Sequence, residues 1–337
     1  MKTYLFFLYS FFLFVSCRQP FEPYRFEKTE AISFHEIEYP ELLGLTIQLI
    51  KTGDHLLVSD FHGDTLVSVF NLKSNQVERK LVSVGNGPGE LNSPLDLQIA
   101  GDNLYILCRP QFLLNHLPLK PITTGDNLPM LQKDLQLPQK SDRFLPLSET
   151  QFVFSGMWNK RYAWLDRTQN DTIIEFGDYP DFWEEEHEIP SNAKAMFHQS
   201  FFTKHPTRNL FASCSPYVLE IFCFEAEHPA VPIRIFQKQL GKYAYDFTSG
   251  EFISTQTKPG SDPAIYDMVC SEKYLYLIKG ITRKKYEILI IDWAGKPVKL
   301  LTTDKQISCL TVDEKEGKGY ACISDPEDKL VWFEIGK

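Results

Sequence analysis

The sequence has no apolar run long enough to cross a membrane. The longest, Tyr4–Val15, is about a dozen residues, whereas a spanning helix needs about 20. No cysteines stand at zinc-site spacing, no tract is of low complexity and no segment keeps a long helical period. These absences argue against zinc modules, disordered arrays and helical bundles. No G-x-S-x-G, P-loop, H-E-x-x-H or Rossmann fingerprint is present, and the His35-Glu36 pair lacks a second histidine. A basic excess is lacking too: 35 Lys and Arg face 44 Asp and Glu, a formal charge of −9, which argues against a general nucleic-acid binder. What is abundant is aromatic, with 26 Phe and 15 Tyr, a composition that suits strands.

The amino terminus carries the clearest signal. Lys2 precedes the apolar run, which has the length of a signal-peptide core. The run ends in Phe14-Val15-Ser16-Cys17, which resembles the lipobox of bacterial lipoproteins. That resemblance implies cleavage before Cys17, lipidation of its thiol and anchoring to the cell envelope, several acyl chains making the attachment stable. Arg18 lacks the aspartate character that favours inner-membrane retention, so the outer membrane is expected, facing either the periplasm or the outside. Residues 1–16 are read as signal peptide, 17–29 as a proline-containing tether and 30–337 as the folded domain.

Along that domain a unit recurs: a short apolar strand, a polar turn and a second apolar strand. It occurs at 55–72, 103–117, 151–166, 209–224, 274–292 and 318–335. The steps are roughly 45–65 residues, the period of four-stranded propeller blades. An innermost strand precedes each unit, at 45–50, 94–99, 142–147, 197–202, 264–269 and 306–311. Outer strands follow at 77–84, 172–176, 231–236 and 297–303, but the last unit has none. The alternating segment 28–39 belongs to no unit. The fold expected is therefore an all-β, six-bladed β-propeller whose ring is closed by an N-terminal strand joining the last blade, which removes free sheet edges.

The segment VGNGPGELNSPLDLQI (84–99) resembles the join between repeats in six-bladed propellers of the NHL and TolB-like kind, through Gly85, Gly87, Gly89, Leu91, Pro94 and the inner strand that follows. The resemblance implies a fold and little chemistry.

In such a ring, the loops between strands two and three share a face with the joins between blades. The former bring together Asp60, His62, Arg109, Trp158, Lys160, Arg161, Tyr217, Arg283, Lys284, Lys285 and Asp325. Two long joins, 177–197 and 237–263, add Tyr179, Phe182, Trp183, Tyr243, Tyr245 and Phe247. One expectation is a funnel for an anionic or sugar-like ligand, with Arg109, Arg161 and Arg283 as anchors. The competing one is ordinary turn charges and tucked aromatics. The inner strands offer Gln48, Asp96, His198 and Asp267; a divalent cation in the central channel would be held by Asp96, His198 and Asp267. No cofactor is otherwise expected. Counting outward from a turn at Glu314–Gly317 sets Cys309 opposite Cys322, a candidate disulfide whose alternative is two buried thiols. The function read from these features is a monomeric, lipid-anchored, non-catalytic module that binds a protein, peptide or glycan. The alternative is a metal-dependent propeller hydrolase or lyase.

Overall fold

A computed structural model describes residues 21–336 apart from 62, 110, 125–129, 139, 226–229, 249, 251, 283, 284 and 325. Cys17, His62, Arg283, Lys284 and Asp325 thus lie outside the described residues.

Two short strands come first, β1 (Thr29–Ala31) and β2 (His35–Glu36). Blade one is β3 (Thr46–Thr52), β4 (His55–Asp60), β5 (Thr65–Asn71) and β6 (Gln76–Ser83). Blade two is β7 (Pro94–Ala100), β8 (Asn103–Cys108), β9 (Leu113–Pro118) and, beyond the short helix α1 (Leu119–Thr124), β10 (Gln132–Gln136). Blade three is β11 (Ser141–Pro146), β12 (Gln151–Gly156), β13 (Tyr162–Asp166) and β14 (Thr172–Phe176). Helix α2 (Ser191–Phe197) precedes blade four: β15 (Phe201–Lys204), β16 (Leu210–Ser215), β17 (Val218–Cys223) and β18 (Ile233–Gln239). A hairpin of β19 (Tyr245–Thr248) and β20 (Ser254–Thr257) stands in the next join. Blade five is β21 (Ile265–Cys270), β22 (Tyr274–Thr282), β23 (Lys285–Asp292) and β24 (Pro297–Thr303). Blade six is β25 (Gln306–Asp313), β26 (Lys318–Ser324) and β27 (Asp328–Glu334). The strands pair in sequence order within each blade. The structure is thus the all-β six-bladed propeller.

Burial explains the sequence pattern. Second and third strands are covered on both faces by neighbouring blades, so β4, β12 and β17 are buried almost end to end and read as continuous apolar runs. Outer strands face solvent on one side, and β6 alternates accordingly. The join after blade one shows why glycines recur there. The Glu90 carboxylate accepts from the Gly87 amide at 2.8 Å and occupies the space where a Cβ on Gly85 or Gly87 would stand. Gly89 has φ +81°, the left-handed region glycine favours.

The ring closes, but with a division that the alternation of 28–39 did not suggest. β2 pairs antiparallel with β27 and supplies the missing outer strand of blade six. β1 instead pairs parallel with β24 and widens blade five to five strands. Between them Ile32 and Phe34 pack into the core shared by blades five and six, and the Phe34 ring meets Phe333 edge-on at 5.5 Å. The chain before β1 is also engaged. Tyr24 and Phe26 pack on the core between blades four and five, and the Tyr24 hydroxyl donates to the Gly295 carbonyl at 2.8 Å. The segment read as tether is therefore docked from Tyr24 onward. A second difference concerns blade four: its inner strand starts at Phe201 rather than at 197, because Ser191–Phe197 is helical after Pro190.

Candidate functional site: the central channel

Every inner strand except β15 carries a register shift against its neighbour at the same place, just before Gln48, Asp96, Arg143, Asp267 and Cys309. A bulge of this kind bends a strand and re-aims the side chains beside it. Repeated round the ring, it brings Gln48, Asp96, Arg143 and Asp267 to the wall of one cavity of about 700 Å³ to which all six blades contribute. The lining comes chiefly from the first halves of the inner strands, together with Gly280 and Tyr286, which flank the two–three turn of blade five. The cavity thus opens on the face that holds the two–three turns and the blade joins.

Several of its polar groups bond to the protein. Gln48 is committed: its side chain donates to the Leu97 carbonyl at 2.8 Å and accepts from the Leu97 amide at 2.9 Å, bridging blades one and two. Asp96 is 6% exposed and accepts from the Phe144 amide and the Gln98 amide group, both at 3.4 Å. Asp267 accepts from the Met268 amide at 2.8 Å and is half-buried. Burial pushes the Asp96 carboxyl up to about 6, against the pull of Arg143. Burial lifts Asp267 to about 6 as well, with the Met268 amide and Arg143 opposing and repulsion from Asp96 adding to it. The Arg143 guanidinium lies 5.3 Å from the Phe201 ring centroid. The wall therefore holds two carboxylates beside one guanidinium, with Phe201, Tyr266 and Tyr286 as apolar surface.

The structure does not gather the expected metal set. Asp96 and Asp267 line the channel, but His198 follows α2 and is buried elsewhere. Its Nε2 lies 3.0 Å from Glu186, with the rings of Phe197, Tyr243 and Tyr245 around it. The helix displaced it from the inner strand. Among the described residues no three His, Cys, Asp or Glu side chains are grouped to hold a metal ion.

Of the three expected arginine anchors, Arg161 is corrected. Arg161 is 2% exposed and points between blades three and four, where its Nε donates to Glu220 at 2.5 Å and to the Tyr162 hydroxyl at 2.8 Å. Glu220 also accepts from Tyr162 at 2.6 Å and Arg234 at 2.7 Å. Burial alone would raise its carboxyl, but Arg161, Tyr162 and Arg234 together hold it below the ordinary value. Arg109 pairs with the buried Asp142 at 2.8 Å. Asp60 accepts from the amides of Gly44 and Leu45 at 2.7 and 2.9 Å and fixes the loop leading into blade one. Trp158 is 5% exposed, with the Lys140 ammonium 5.6 Å from its ring. Lys160 pairs with Asp178, and Lys285 with Glu287.

The two long joins form a small core of their own rather than a row of exposed platforms. Ile189, Ala193, Phe197, Tyr217, Tyr243 and Tyr245 are buried together, and Phe182 and Trp183 pack on them; Phe247 alone of the six named aromatics is exposed. Glu186 ties the cluster, accepting from the Phe182 amide at 2.7 Å and the Tyr243 hydroxyl at 2.9 Å. Burial lifts its carboxyl to about 7 and holds His198 well below the ordinary histidine value.

Sequence reasoning missed Arg143, although its strand (142–147) was identified. It also missed an apolar lip. Leu42, Leu45, Phe61 and Val84 are exposed around the top of blade one, and Leu45 also lines the cavity. Cys309 and Cys322 are register partners, as the count from the turn places them, and both are buried free thiols in the structure.

A family profile described as TolB-like 6-blade propeller-like matches residues 38–315. Two solved structures are similar in fold. One is a protein from Bacteroides fragilis NCTC 9343 described as exported, 13% identical, with a TM-score of 0.56 over 92% of this chain and 99% of that one. The other is a member of the DUF4221 family from Bacteroides vulgatus ATCC 8482, 8% identical, with a TM-score of 0.54 over 91% of this chain and 98% of that one. No curated protein matches the sequence.

Proposed function

The chain belongs to the TolB-like family of six-bladed propellers, and from that premise we propose that it is a lipid-anchored, non-catalytic binding module of the cell envelope that receives a protein or peptide partner at its channel mouth. Anchoring rests on the lipobox-like end at Cys17, and export has the support of a structural relative described as exported. The observation that carries the binding role is the channel itself. Two carboxylates are held at a cost in a cavity of about 700 Å³, beside an exposed apolar lip. A concave site with a few convergent polar groups of perturbed pKa is the usual form of a binding site. The charge balance of Asp96, Asp267 and Arg143 favours a cationic side chain of the partner in the channel, with apolar neighbours resting on Leu42, Leu45 and Phe61.

Photo-crosslinking amino acids placed at Leu42 and Leu45 in living cells test this, with Ile174 on the exposed edge of blade three as control. A discrete adduct from the two mouth positions, weakened by Asp96→Asn with Asp267→Asn, is expected. No adduct, or an equal one from Ile174, refutes it. A stoichiometric divalent ion on the wild-type protein that the double variant loses would instead favour metal-dependent chemistry in the channel.

A further inference from the structure

We propose that the outer rim between blades four and five, around Tyr24, Ile233 and Ile235, rests against the lipid headgroup surface of the membrane that holds the anchor. This rests on the lipidation of Cys17 proposed above.

The covalent distance sets the argument. Tyr24 is fixed in the groove between blades four and five: its hydroxyl donates to Gly295, its ring lies 6.0 Å from Phe26, and the Lys238 ammonium stands 5.5 Å above it. Gly295 admits no side chain, since a Cβ would fall 2.2 Å from the Phe236 ring. The groove is thus built from Phe236 of β18 and the 292–296 turn. Only residues 18–23 separate Tyr24 from Cys17, and the stretch between the two reaches at most about 25 Å. The acyl chains cannot be far from this rim, whichever way the propeller tilts.

The surface at that place suits a headgroup layer. Ile233 and Ile235 on the edge strand β18 are 67% and 53% exposed, and they stand three residues and one residue before Phe236. Exposed Arg25, Lys28 and Lys296 surround the groove with Lys238, against exposed Glu22 and Glu27, so the rim is cationic in a chain of net charge −9. Asp292 accepts from the Ala294 and Lys296 amides of its own turn at 2.9 and 2.8 Å, and Glu30 is paired with Lys299 at 3.0 Å. Isolated apolar side chains among lysines and arginines beside a lipid anchor are what interfacial binding uses, each cation adding attraction to anionic lipid.

The test uses the full lipidated protein in vesicles of phosphatidylethanolamine and phosphatidylglycerol carrying a headgroup-attached quencher. A genetically encoded fluorescent amino acid replaces Ile235, Ile174 or Phe61 in turn, all exposed positions. Quenching several-fold stronger at 235 than at 174 or 61 is expected, falling when Arg25 and Lys296 become Glu. Equal quenching at the three positions, or stronger quenching at 61, in protein that floats with the vesicles overturns the rim contact alone. Shielding of the 235 probe that grows with protein density but ignores the quencher identifies a second copy at the rim and also overturns it. Protein that fails to float and lacks the lipid mass on Cys17 overturns the anchoring, and the rim contact falls with it.

Discussion

Replacing Asp96 and Asp267 by asparagine should make the protein more stable at neutral pH and no more stable in acid. Both carboxyls rise from 3.8 to about 6 on folding, because the channel withholds water from the charged form. Each such rise corresponds to roughly 3 kcal/mol. The sign follows from linkage. A group whose pKa is raised by folding costs nothing while both states hold the proton, so below about pH 4 the wild-type chain carries no penalty. Between pH 4 and 6 the unfolded chain gives up protons that the folded one keeps, and stability falls; above that it levels off. Asparagine of the same shape can still accept from the Phe144 and Met268 amides, so it escapes the fall. Either single variant should gain up to about 3 kcal/mol over wild type at pH 7.5 and close to zero at pH 4. The double variant should gain less than the sum, because the first replacement already relieves repulsion between the two carboxylates. Urea unfolding of residues 18–337 at both pH values measures this. A gap between variant and wild type that is the same at pH 4 and 7.5, or a wild type that is the more stable at 7.5, refutes the idea that these groups are held at a cost. Groups kept against stability are a mark of binding sites.

Other expectations follow from the packing. Arg161→Met leaves Glu220 buried without its main partner and should cost about 3–5 kcal/mol in urea unfolding, much of it recovered by adding Glu220→Leu; an unchanged midpoint would show that the pair is not desolvated. Glu186→Ala removes the acceptor of the Phe182 amide and the Tyr243 hydroxyl and should cost about 1–3 kcal/mol, with faster proteolysis inside 177–200, while Glu186→Gln stays near wild type. Deleting residues 28–39 strips an outer strand from two blades and should lower stability by roughly 3 kcal/mol or more; an unchanged melting temperature contradicts ring closure.

Much of the fold could be read from residues because a propeller writes its burial into sequence. Strands covered on both sides must be apolar throughout, so HLLVSD and NLYILC announce themselves, and polar turns separate them. The partition of 28–39 was not readable, since alternation tells which face is buried and not which blade offers the edge. Helix α2 had a signal in Pro190-Ser-Asn-Ala-Lys-Ala-Met, but the aromatic run after it masked the boundary and carried His198 into the wrong strand. The channel was half legible. Asp96 and Asp267 stand out as acids within apolar inner strands, whereas Arg143 looked like one more polar residue until the repeated bulge aligned it with them. Arg161 misled for a different reason. Its partner Glu220 is 59 residues away, and nothing local says that a cation in a turn is folded inward.

The central claim is that the channel receives a cationic group of a partner between Asp96 and Asp267. Carboxyl-detected carbon NMR of these two residues, free and with the crosslinked partner bound, tests it most directly. The account predicts midpoints near pH 6 in the free protein and a fall toward the ordinary carboxylate range on binding, with affinity rising as pH passes 6. Midpoints that stay where they are when the partner binds would contradict it.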